Sequence, residues 1–86
     1  MWELRADLTE KEIEAAATNA GLDIGSKGTL GKYPGSVHWH FRSPMAKGTA
    51  EVTLLVAKSR CWLEVRSNRA SHEMLELAER FAKMLR

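Results

Sequence analysis

The segment SVHWHFR, residues 36–42, sets His38 and His40 on either side of Trp39. In an extended chain alternate side chains share a face, so the two imidazoles point one way and the indole the other. Two imidazoles on one strand face can ligate a metal ion, with Glu51 or Glu64 as a candidate oxygen ligand from a later strand. They can also exchange protons with a nearby carboxylate or touch a bound molecule. The third histidine, His72, stands at the start of a helix, and the lone cysteine, Cys61, falls in the apolar phase of its strand. Acid–base catalysis would need a pocket with a nucleophile or an oriented water, and no serine or cysteine is placed beside the pair. The expectation is a non-catalytic chain without a cofactor, in which His38, His40 and Glu51 carry only a third-ranked, metal-binding reading.

Three stretches with a period of two must position these residues. Val37, Trp39 and Phe41 alternate with Ser36, His38, His40 and Arg42. At about 49–57, Ala50, Val52, Leu54 and Val56 alternate with Thr49, Glu51, Thr53 and Leu55. At about 60–66, Cys61, Leu63 and Val65 alternate with Arg60, Trp62, Glu64 and Arg66. Short connections, SPMAKG and a two-residue KS turn, predict an antiparallel meander with one apolar face. The glycine-rich stretch GLDIGSKGTLGKYPG reads as turns with a short strand near Thr29–Tyr33.

Helices flank this sheet in sequence. Thr9 and Glu12 have the spacing of a capping box, with Leu8 and Ile13 as a hydrophobic staple. Ile13, Ala16, Ala17 and Ala20 then recur at helical spacing, and Gly21 ends the helix. Ser71 is the expected N-cap of a C-terminal helix whose apolar face runs through Met74, Leu75, Leu77, Ala78, Phe81, Ala82 and Leu85. The resulting fold class is α+β: a two-layer, three- or four-stranded antiparallel meander over residues 1–86, one domain, with N- and C-terminal helices on one face.

Phe41 opposite Ala50 sets His38 beside Thr53 and His40 beside Glu51. A turn at 58–59 sets Leu55 opposite Trp62, Thr53 opposite Glu64 and Glu51 opposite Arg66. The face away from the helices then shows imidazole, indole and guanidinium groups. Charge follows the same division. The net charge is +2 over 86 residues, but residues 22–69 hold eight bases against three acids, whereas residues 1–21 hold two against five. Positive groups among flat rings suit single-stranded nucleic acid, whose phosphates are attracted and whose bases stack. The leading expectation is a binding module that takes RNA or single-stranded DNA through His38, His40, Arg42, Arg60, Trp62, Arg66 and Arg69. The alternative is a homodimeric or protein-contact domain using an exposed Leu55/Trp62 pair.

The order α-β-β-β-α and the run YPGSVHWHF resemble the double-stranded RNA-binding domain. The resemblance is one of element order. At the start of the last helix, SNRASHEM stands where that family carries paired lysines that contact phosphate. One cysteine suits a reducing, cytoplasmic setting. The N-terminal run MWELRADLTEKE lacks the apolar core of a signal peptide, and no run reaches membrane-spanning length, so no membrane association is expected.

Overall fold

A computed structural model describes residues 1–86. The elements are β1 (Trp2–Glu3), α1 (Glu10–Asn19), β2 (Asp23–Gly28), β3 (Val37–Ser43), β4 (Ala46–Leu55), β5 (Arg60–Val65) and α2 (His72–Met84). All five strands form one antiparallel sheet in the order β1-β5-β4-β3-β2. The fold is α+β with a helix near each terminus. The sheet has five strands rather than three or four.

Both additional strands lie at edges. β1 is two residues long, too short for any periodicity to reveal, and it pairs Trp2 with Leu63 and Glu3 with Trp62. β2 falls at 23–28 instead of 29–33. It pairs with β3 across an irregularity between Ile24 and Ser26, where Gly25 leaves room for the Arg42 side chain and the His40 carbonyl.

The helices form where the sequence signals them. Glu12 N–H donates to Thr9 Oγ1 at 3.1 Å while Thr9 N–H donates to Glu12 Oε1 at 3.0 Å, closing the capping box. That reciprocal hydrogen bonding holds the Glu12 carboxyl below its usual range. Ser71 caps α2 by accepting from the Met74 N–H. The inner face of the sheet meets these helices through one apolar cluster, in which Trp39, Phe41, Val52 and Leu63 lie against Ile13, Met74, Ala78 and Phe81. Phe41 meets Phe81 edge-on at 5.2 Å. Trp39 is fully buried, and its indole N–H donates to Glu14 Oε2 at 2.9 Å, tying β3 to α1. Lys27 reaches the same carboxylate at 2.7 Å and Glu10 at 2.8 Å. Its hydrogen bonds to these two carboxylates raise the Lys27 ammonium, and those from Lys27 and Trp39 lower Glu14.

The β4–β5 connection corrects the expected register. β4 stops at Leu55, and a 3-10 turn over Val56–Lys58 leads into Ser59 with φ 50°. Leu55 therefore faces Arg60, Thr53 faces Trp62 and Glu51 faces Glu64. Lysine and serine are poor residues for the mirror-image two-residue turns, so the chain takes a four-residue loop instead. The slip is two residues and leaves each side chain on its expected face. Only Val56, expected inside, is thrown out to 70% exposure.

Candidate functional site

β3 and β4 pair as the apolar alternation demands, with His38 opposite Thr53 and His40 opposite Glu51. Both histidines point away from the helices, as expected. The face they occupy is nevertheless not bare. Residues 29–36 fold back over it through consecutive turns, with Tyr33 N–H donating to the Leu30 carbonyl and Ser36 N–H to the Tyr33 carbonyl. Ser36 Oγ accepts from the Leu30 N–H at 3.2 Å and fixes the segment at its base. Tyr33 then meets Trp62 edge-on at 5.5 Å.

This cover corrects the two surface roles expected of Trp62. Trp62 and Leu55 are only 5% and 6% exposed, so they form neither a stacking platform for bases nor an exposed apolar pair for a protein partner. The physical reason is that an indole and an isobutyl group on a sheet face draw the nearest flexible segment over themselves. Arg60 is also occupied: it pairs with Glu3 on β1 and lies 4.7 Å over the Trp62 ring.

Beyond Trp62 the buried layer turns polar. His38 Nδ1 lies 2.8 Å from Thr53 Oγ1, and His38 Nε2 lies 3.2 Å from Glu51 Oε1. His40 Nε2 approaches that same oxygen at 3.5 Å, while Arg66 Nε stands 3.9 Å from the other, Oε2. The two imidazole rings meet edge-on at 5.0 Å. The Glu51 side chain is 15% exposed, that of His38 is 10%, and that of His40 is 37%. No buried side-chain nitrogen or oxygen lacks a partner, so the layer meets the requirement for removing polar groups from water. Because a carboxylate only accepts, His38 Nε2 carries a proton whenever it bonds Glu51. In the neutral ring Nδ1 then accepts from the Thr53 hydroxyl.

Two concavities meet at Glu51. One, of about 460 Å³, runs under the covering segment and is lined by Tyr33, Lys32, His38, Thr53, Trp62 and Glu64 among others. The other, of about 200 Å³, is lined by His40, Gly48, Thr49, Glu51, Arg66 and Arg69, with no hydrophobic side chain. The structure thus brings His40, Arg66 and Arg69 together, whereas Arg42 is exposed on β3 with its side chain against Gly25 of β2. Gly48 shapes the second notch. Its φ is +108°, and a Cβ there would lie 2.8 Å from Ala70 Cα. The close approach lets Lys47 N–H donate to Ser71 Oγ at 3.0 Å and Ser71 N–H to the Lys47 carbonyl at 2.9 Å, so the start of α2 and Arg69 are held against β4.

No protein-family model, curated protein or solved structure matches this chain significantly. The likeness in element order to the double-stranded RNA-binding domain is carried no further. No helix is long and apolar enough to cross a membrane.

Sequence reasoning missed Tyr33 and Gly48 and gave Thr53 no role, although it placed Thr53 beside His38, as the structure does. Tyr33 and Gly48 had no signal, since both act through segments without periodicity. Cys61 lies buried on the inner face, where loss of solvent pushes its thiol up to about 11 and keeps it protonated.

Proposed function

We infer that the protein is a small binding module whose outer sheet face takes the phosphates of a single-stranded nucleic acid. One observation carries this reading: the notch beside His40 gathers Arg66 and Arg69, and no carboxylate approaches these guanidinium groups closer than 3.9 Å. Elsewhere the arginines that touch the sheet or α1 are engaged: Arg5 with Asp7 and Glu12, and Arg60 with Glu3. Guanidinium groups that are free, as at Arg69, or only loosely paired, as at Arg66, suit phosphate oxygens, which accept two parallel N–H bonds from each fork. Base stacking on Trp62 is no longer part of the reading, because Tyr33 already occupies that ring. Half-exposed Tyr33 and His40 are the flat groups left at the surface.

The test is fluorescence anisotropy of a labelled single-stranded oligonucleotide across a salt series. About three phosphate contacts imply a slope near −2 for log affinity against log salt. Arg66→Ala and Arg69→Ala should each weaken binding and flatten that slope by about 0.7. A salt-independent signal, or one that both variants leave unchanged, would remove the reading.

A further inference from the structure

We propose that His38, His40 and Glu51 form a binding site for a divalent transition-metal ion, zinc being the best match, with Thr53 as its positioning residue. One ring nitrogen of each histidine and a Glu51 oxygen all lie within 4.8 Å of one another. Two of the three edges, at 3.2 and 3.5 Å, already have coordination length. Bonds of about 2.0–2.1 Å to a tetrahedral ion put neighbouring ligand atoms about 3.3 Å apart. The donor set of two imidazoles and one carboxylate leaves a fourth position; two of the three ligands, His40 and Glu51, also line the notch that holds Arg66 and Arg69.

Three further features fit a cation at this point. Thr53 Oγ1 sits 2.8 Å from His38 Nδ1 and is itself buried, so it can accept the Nδ1–H of a ring that coordinates through Nε2. Metal-bound imidazoles regularly have such an outer partner on the second nitrogen. Glu51 lies largely out of water and directly opposite Glu64 in the β4–β5 register. Like charges facing each other across a sheet are destabilising, and a cation beside Glu51 relieves that repulsion. The exposed His72–Glu76 pair on α2, at 2.7 Å, offers one imidazole with no convergent third ligand and serves as the internal control.

The inference is independent of nucleic-acid binding, and its test contains no oligonucleotide. The metal-free full chain is titrated with zinc at neutral pH by calorimetry, and with cobalt(II) by visible absorption. The expected results are one zinc per chain and the ligand-field bands of tetrahedral cobalt without a thiolate charge-transfer band, because Cys61 lies on the opposite face. His40→Ala, a change at a half-exposed position, should weaken zinc binding more than about 100-fold while retaining the far-ultraviolet circular dichroism of the folded chain. Thr53→Val should weaken it about 10- to 100-fold, and His72→Ala should leave it unchanged. Zinc should raise the unfolding temperature of the wild type but not of His40→Ala. The proposal is overturned by a wild type without saturable binding, by binding that survives His40→Ala in a folded chain, by loss in His72→Ala, or by a cobalt–thiolate band.

Discussion

The two faces of the sheet are built from alternate residues of the same strands, yet they are buried in different ways. The inner face is predominantly apolar and is covered by α1 and α2, whose backbones satisfy their own hydrogen bonds and bring chiefly Ile13, the alanines, Met74 and Phe81 to the contact, with Glu14 accepting from Trp39. The outer face is covered over part of its width by an irregular turn segment, and beneath and beside it lie Ser36, His38, Thr53 and Glu51. Apolar burial is non-directional and tolerates approximate fits, whereas buried imidazole, hydroxyl and carboxylate groups must meet partners within hydrogen-bond distance. The first face supplies stability. The second spends some of it on a fixed arrangement of polar atoms, and such arrangements occur where chemistry or recognition needs them.

The division can be broken most severely from the inner side. Trp39→Ala removes a fully buried indole and its bond to Glu14, and should cost about 3–5 kcal/mol in denaturant unfolding. Gly48→Ala follows at about 2–3 kcal/mol, because it forces a side chain into a positive φ and against Ala70; NMR shifts should spread from β4 into the start of α2. Tyr33→Ala should cost only about 1 kcal/mol, since it removes one aromatic pair and part of a surface cover. It should, however, raise the solvent accessibility of the Trp62 ring to a fluorescence quencher and leave that of Trp39 unchanged. Equal effects of Trp39→Ala and Tyr33→Ala would mean that the covering segment is as much a core element as the helices.

The smallest effect belongs to Glu14→Gln, which keeps an acceptor for Trp39 but loses the partly solvated Lys27 pair, a loss of under about 1 kcal/mol at neutral pH. Its pH dependence has a definite sign. The Glu14 carboxyl is lowered in the folded state, chiefly by the hydrogen bond from Lys27, so its contribution is present above the ordinary glutamate value of 4.5 and fades as pH falls through the folded value. Wild type and variant should therefore converge in stability in acid. Lys27 is raised, so its part persists below 10.5 and is lost only as pH climbs through its folded value.

Much of this division was legible in the sequence, because alternation fixes which way a strand residue points. Thr9/Glu12 and Ser71 gave away both helix starts, and Phe41 opposite Ala50 located His38 and His40 beside Thr53 and Glu51. What alternation does not contain is what lies above a face. The segment from Thr29 to Ser36 is aperiodic, so nothing in it announced that Tyr33 would close over Trp62. The β4–β5 register was equally hidden, since it depends on turn geometry at Val56–Ser59 rather than on the apolar pattern, which a two-residue slip preserves. β1 escaped because two residues carry no period.

The outer face as the binding surface is tested most directly by NMR titration of the isotope-labelled full chain with a short single-stranded oligonucleotide at low salt. Shift changes are expected at His40, Gly48, Thr49, Glu51, Arg66 and Arg69, fading as salt is raised. Changes confined to α1 or the exposed side of α2, or none at all, would contradict binding at this face.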